Sequence, residues 1–242
     1  MMFDFFFPDL TKRSDKPELM DIPDSSERKL ISTLKQFSIL NLLLTGSRRL
    51  IKMHIVSKMK QDNSGSYTFL DIGSGGCDIP IWLSRLCARK KIKIKITCID
   101  NDERVINYAK KKCRPYRNIK IINFSAFEIN RMEKFDFIFA NHFLHHLPQS
   151  RIHTVLKLIA KQTKNVFLIN DIRRSSLAYL GYTLLTGIFF HDSFAFYDGR
   201  LSIKKGFKIE EVKKLLFGMR EASCIIIGKA FPSRIFFLFE RI

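Results

Sequence analysis

The chain has 242 residues, 46% hydrophobic and 27% charged, which excludes a disordered polymer and suffices for one α/β domain with a small appendage. Its 42 basic and 23 acidic residues give a formal charge of +19, which suits nucleic acid or an anionic lipid surface as a partner but defines no site by itself. The five cysteines form no Cys-x-x-Cys pair, which excludes a zinc knuckle or disulfide frame and points to reduced thiols and a cytoplasmic location.

The opening MMFDFFFPDL has no basic region before its apolar run and carries Asp4, so it makes a poor signal peptide. Residues 1–65 show no strand pattern. Apolar residues recur there at helical spacing, with a start at Ser26 and a break near Gly46, which predicts two helices forming an N-terminal cap. A polar linker, QDNSGS, follows at 61–66. From there strands and helices alternate. Strands are expected over 67–72, 94–100, 119–125, 135–143 and 165–171. Helices are expected over 78–90, 102–113, 150–163 and 208–219. The helix at 78 has Pro80 in its first turn, where a missing N–H costs nothing. The dense run Arg89–Lys95, RKKIKIK, alternates Lys with Ile as it enters a strand, so half of it faces solvent in any case.

The longest uncharged run, 175–190, falls short of the ~18–20 residues that span a bilayer. It reads as a buried or interfacial helix within a cover inserted at about 174–206. Two strands, over 222–230 and 234–242, close the chain as a hairpin, so one must run antiparallel. The fold expected is a doubly wound, Rossmann-like, mainly parallel sheet with a C-terminal antiparallel strand and an N-terminal helical cap (1–65 cap, 66–242 catalytic domain).

Ligands of such sheets bind at the carboxyl ends of the strands. The first strand ends in LDIGSGGCDIP, with Asp71, Gly73, Ser74 and Gly75, and with Asp78 where a dinucleotide fingerprint has its third glycine. A carboxylate there repels a pyrophosphate and welcomes an ammonium group, which suits S-adenosylmethionine. Asp100 ends the second strand, where a carboxylate accepts hydrogen bonds from ribose hydroxyls, with Asn101 beside it. A helix-capping role for Asp100 is dispensable, because Asn101 or Asp102 can cap. Ser125, Ala126 and Phe127 end the third strand, where an adenine would meet a polar edge and an aromatic ring. ANHFLHHL follows the fourth strand; Asn141 and His142 line the cofactor pocket, and His145 or His146 faces substrate or packs. The histidines are spaced like metal ligands on one helical turn, but no acid or cysteine accompanies them locally, so no metal is expected.

The set LDIGSGG, CIDND and FDFIFANHFLHHL resembles the class I S-adenosylmethionine-dependent methyltransferases over about residues 67–171. LHHL after the fourth strand is similar to quinone-biosynthesis and related small-molecule methyltransferases. PELMD at 17–21, NDIRR from Asn170 and DGRLS at 198–202 resemble bacterial enzymes encoded beside polyketide-type or phenolic-lipid genes. Where the family usually has an acid after the third strand, this chain has Ser125. The resemblance implies methyl transfer to an oxygen or carbon of an apolar phenol, quinol or polyketide-like aromatic. His145 or His146 is then the candidate base, with Asp171 and Asp198 as candidates to orient it or bind substrate. Asp171 and Arg174 can equally form a structural ion pair. An apolar cover and a Phe-rich N-terminus suit an acceptor taken from a membrane surface. The rival readings are an RNA or protein methyltransferase, favoured only by charge, and a non-catalytic binding protein that keeps the fold. ANHF lacks the usual N-methylating signature.

Overall fold

A computed structural model describes residues 5–61, 65–190, 192–217, 219 and 224–241. Seven strands form one sheet: β1 (Ser66–Ile72), β2 (Lys93–Asp100), β3 (Ile119–Asn123), β4 (Phe135–Asn141), β5 (Thr163–Ile172), β6 (Cys224–Ala230) and β7 (Arg234–Glu240). Their order is β3-β2-β1-β4-β5-β7-β6. The pairs from β3 to β5 are parallel, and β7 runs antiparallel to both β5 and β6. The order reverses between β1 and β4, so the chain ends leaving these two strands open a crevice at their carboxyl edge.

Side-chain alternation along each strand fills two layers. Leu70, Ile72, Ile138, Phe167, Ile169 and Phe237 pack on one face, against α5 (Gln149–Gln162) and α8 (Ile209–Leu216). Phe69, Phe137, Phe139 and Leu168 pack on the other, against α3 (Asp78–Arg89) and α2 (47–61). Full burial of each such side chain stabilises the fold by about 1.5–3 kcal/mol. Helix α2 runs through Ser47–Ile51, a π-type turn at Lys52–Val56, and Ser57–Gln61. Its Leu50, Ile51 and Ile55 belong to this second core layer.

Local chemistry explains the helix ends. Helix α1 (Glu27–Leu44) starts where the Ser26 hydroxyl accepts the Lys29 N–H, and it stops before Gly46, whose φ of +64° suits a residue without Cβ. Asp102 caps α4 (Glu103–Cys113) by accepting the Arg104 N–H at 2.8 Å, which frees Asp100 of that duty. Lys110, Lys111 and Lys112 close the same helix, where cations meet its dipole favourably.

The expected strands and helices are present with ends shifted by one to three residues, the largest shift being the end of α8 at Leu216; the last strand pair is described from Cys224, and residues 222–223 and 242 lie outside the described part, as do 62–64 of the polar linker. Inside the cover, α6 (Ser176–Phe189) was expected, whereas α7 (Ala195–Lys205) was not. Its apolar pattern is interrupted by Asp198, Gly199 and Ser202, all buried, so periodicity misses it. No helix among the described residues is long and apolar enough to cross a membrane.

Candidate active site

The loop after β1 turns on two left-handed glycines, Gly73 at φ +65° and Gly75 at φ +49°. A Cβ on Gly73 would also lie 3.0 Å from the Phe143 ring, so the loop needs glycine twice over. The N–H groups of Gly73 and Ser74 are bonded back to the Ile99 carbonyl, which locks the loop onto β2. Asp100, at the end of β2, accepts the N–H of Gly75 at 3.1 Å and of Asp102 at 3.2 Å. Asp71 and Asp78 face the same cavity. Burial raises the pKa of all three carboxyls, and Asp71 is pushed furthest because Asp78 and Asp100 add their charges to the desolvation.

This acid cluster is unfit for a pyrophosphate. It fits a ligand bearing an ammonium and a sulfonium group. Two buried atoms here, Asp78 Oδ2 and Ser74 Oγ, have no hydrogen-bond partner within the protein, and such groups call for a ligand or water. Asn101, Ser125, Ala126 and Phe127 border the same cavity from the next two strand ends. The Ser125 hydroxyl accepts the Phe127 N–H at 3.2 Å, and the Phe127 ring lies under the Arg151 guanidinium at 3.7 Å.

Asn141 and His142, at the end of β4, also border the cavity. The Asn141 amide oxygen accepts from Ser47 Oγ at 2.9 Å and from Asn170 Nδ2 at 3.1 Å, so this side chain ties α2 to β5. His142 has a left-handed backbone, φ +53°, and lies outside the short 3-10 turn Leu144–His146. The three histidines therefore do not share one helical turn, contrary to the reading from their spacing. Burial lowers the His142 pKa well below the ordinary value, and Arg234 beside it adds to the effect. Burial pulls Arg234 itself down to about 10.

His145 is buried and donates from Nδ1 to Asp171 Oδ1 at 2.6 Å; a carboxylate can only accept here, which fixes the tautomer and leaves the lone pair on Nε2. Asp171 also accepts the N–H groups of Leu144 at 2.9 Å and Ile172 at 2.7 Å. Burial alone would raise its pKa, but the charge and hydrogen bond of His145, with Arg234, hold it below the usual carboxylate range. It does not line the cavity; it acts on His145 from behind. The expected alternative pairing with Arg174 is not formed: Arg174 pairs with Glu211. Burial lowers the His145 pKa despite Asp171, so the ring rests neutral.

His146 Nδ1 lies 2.8 Å from Asp21 Oδ2. Burial opposes its charge, but Glu18 and Asp21 lift its pKa to about 9. Asp198 accepts the N–H groups of Leu19 and Met20 at 2.7 and 2.9 Å, so it anchors the N-terminal segment. Glu18, fully buried, puts Oε1 3.7 Å from His145 Nε2 and 3.3 Å from Lys205 Nζ. The acid that the local sequence lacks beside the histidines thus arrives from the N-terminal segment, and ligand-type atoms of Glu18, His145 and His146 lie within 4.8 Å of one another, with Lys205 as the resident cation. Neither Glu18 nor Arg234 stands out by sequence reasoning; PELMD marks Glu18 only through resemblance.

The cavity measures about 1180 Å³. Beyond the glycine loop its walls include an apolar stretch, with Leu34, Phe37, Leu40 and Leu44 from α1 and Leu177, Tyr182 and Leu185 from α6.

At the switch point of the doubly wound sheet, Asp71, Asp78 and Asp100 share one cavity with apolar side chains of α1 and α6, a lining that fits a cationic ligand. Residues 69–165 match the family model of a methyltransferase domain. No curated protein matches it. Among solved structures, it is similar to magnesium protoporphyrin IX methyltransferase (ChlM) from Synechocystis PCC 6803 with bound SAM, at 14% identity and a TM-score of 0.54 over 81% of this chain and 80% of that one. It is similar to the plantazolicin methyltransferase BamL, bound to a desmethyl analogue and SAH, at 17% identity and a TM-score of 0.59 over 87% and 85%. A Methanococcus maripaludis protein classed as an S-adenosyl-L-methionine-dependent methyltransferase gives 15% identity and a TM-score of 0.61 over 90% and 95%. Identities this low carry the fold alone.

Proposed function

We propose that the chain transfers a methyl group from S-adenosylmethionine to an oxygen or carbon of an apolar small molecule, an aromatic of the phenol, quinol or polyketide type. The observation that carries the reading is the apolar part of the cavity, bordered by His145, which Asp171 backs, and contiguous with the glycine loop. Gly73 and Gly75 allow close backbone approach to the donor, Asp100 holds its ribose, and Asp71 and Asp78 face its cationic end. Ser125, Ala126 and Phe127 form the adenine end, and Asn141 and His142 line the same cavity. The cofactor, when bound, supplies an electrophilic methyl group on a sulfonium. The N-terminal cap and the cover at about 174–206 enclose the acceptor, as the cavity-lining leucines of α1 and α6 support.

The two candidate bases differ in charge. His146 rests protonated and has no lone pair to offer at neutral pH, so it serves as a fixed positive charge. His145 rests neutral with its lone pair on Nε2. It takes the acceptor's proton, and the imidazolium so formed lies between Asp171 at 2.6 Å and Glu18 at 3.7 Å. Because burial lowers the His145 pKa, activity holds down to pH values under the ordinary histidine range and falls only below them.

The test is incubation with methyl-labelled S-adenosylmethionine and a panel of alkylresorcinols, catechols and quinols, beside an RNA pool. Label is expected in an apolar phenol or quinol, with a loss of roughly 10²–10⁴-fold in His145→Gln. Label in RNA alone would overturn the acceptor reading and give function to the charge of +19.

A further inference from the structure

Helix α6 is inside out. Its buried face carries Tyr179, Thr183 and Thr186, and its solvent face carries Leu177, Leu184, Leu185 and Ile188, the spacing of one helical stripe. The two threonine hydroxyls bond back to the carbonyls of Tyr179 and Tyr182, so the inward polar groups are satisfied within the helix. Leu177 is 83% exposed and Ile188 67%. No charged residue lies between Ser175 and Phe190. Helix α1 shows a related pattern along its length: its outer face begins with Arg28 and Lys35 and ends with Ile39, Leu42 and Leu43, the last 68% exposed. A third apolar point is Phe231, 86% exposed at the tip of the β6–β7 hairpin. This tip sits beside the end of α1, because a Cβ on Gly46 would be 3.9 Å from both Ala230 Cβ and the Phe231 carbonyl.

The three elements that carry these points share one cavity. Leu40 and Leu44 of α1, Leu177 and Leu185 of α6, and Pro232 of the hairpin all border the cavity of the active site. Exposed cations stand next to the apolar points: Lys35 on α1, Arg49 and Lys52 just past its end, and Lys229 on the hairpin. An apolar rim with basic neighbours, on a chain of charge +19, is complementary to an anionic lipid surface and not to another copy of the same cationic chain.

We infer that this rim docks on an anionic bilayer, with α6, the end of α1 and Phe231 entering the headgroup region, so that the cavity opens toward lipid. The purpose of the docking rests on the apolar-acceptor reading, since such an acceptor partitions into the bilayer; the docking itself does not. The test is co-sedimentation with vesicles of phosphatidylcholine, alone or with a third phosphatidylglycerol, in the absence of cofactor and acceptor. Binding is expected to the anionic vesicles and to weaken on the neutral ones. Leu184→Ser with Ile188→Ser, two exposed residues outside the cavity, is expected to weaken it by roughly tenfold per side chain, while the melting temperature and intrinsic methyl transfer to a water-soluble phenol stay unchanged. A second pair, Leu43→Ser with Phe231→Ser, is expected to act alike. No sedimentation, or equal sedimentation of both double variants, overturns the proposal. A wild type that scatters light as a dimer, becomes monomeric in the double variants and ignores vesicles assigns the rim to a second copy and overturns it too. Vesicle binding without any labelled phenol would instead sink only the acceptor reading.

Discussion

Asp171→Asn is the most informative single change, because it keeps shape and removes one charge. The carboxylate of Asp171 receives four N–H groups: His145 Nδ1 and the Ile172 amide on one oxygen, the Leu144 and His145 amides on the other. Asparagine has one oxygen and one NH₂ group, so whichever way it turns, one pair of donors faces a donor. Replacing the charge-assisted bond at 2.6 Å costs about 1.5–3 kcal/mol, and leaving buried N–H groups unmet costs about 1–3 kcal/mol more. A total near 4 kcal/mol lowers the melting temperature of a chain this size by roughly 10 °C. Scanning calorimetry or fluorescence melting reads this directly, with Asp171→Ala as a comparison. Turnover should also fall, since His145 then loses the partner that fixes its tautomer. A variant that melts with the wild type would refute the picture of an ionised, fully engaged Asp171.

Calorimetric titration of S-adenosylmethionine should give a Kd at least roughly tenfold weaker for Asp100→Ala than for wild type, the cost of one charge-assisted hydrogen bond or more. Unchanged affinity would remove Asp100 from the ribose site. Gly73→Ala combines a φ of +65° with a Cβ 3.0 Å from Phe143, so it should cost about 1–2 kcal/mol from the backbone conformation alone, read by urea unfolding. His146 should titrate near 9 in a ring-proton NMR experiment, and Asp21→Asn should bring that value down. Because the folded pKa lies above the unfolded value, the stability that His146 adds, on the order of 3 kcal/mol, is fully present below pH 6.5 and is lost as pH rises through 9. His146→Gln should therefore differ most from wild type in mild acid; a gap that widens above pH 9 would contradict the assignment.

The alternation of strand and helix was legible because each element carries its own signal. Phe69 and Leu70, or Phe137 and Ile138, are short apolar runs bounded by polar turns, and the helix starts at Ser26 and Asp102 advertise their caps. The strand-end residues were legible for the same reason: once a strand is placed, the topology sets where its carboxyl edge points. What stayed hidden depends on contacts between distant segments. Glu18 looks like a solvated acid in a polar stretch, and only the folded chain buries it beside His145 and Lys205. Helix α7 hides because its buried face is partly polar, with Asp198 satisfied by amides from the N-terminal segment. The spacing of His142, His145 and His146 misled for a local reason, since the left-handed backbone at His142 takes it off the turn.

The N-terminal segment also has a history in time. Its Leu19 N–H bonds to Asp198, 179 residues further on; the Ser14 N–H bonds to the Lys204 carbonyl; and Arg13 reaches the carbonyl of Lys205. None of these partners exists while the first half of the chain is being synthesised. The segment around Leu19 is synthesised well before α7, so these contacts can close only after α7 has emerged. The pocket around His145 and His146 stays unfinished until then, so a nascent or truncated chain lacking α7 carries a glycine loop but no closed acceptor end.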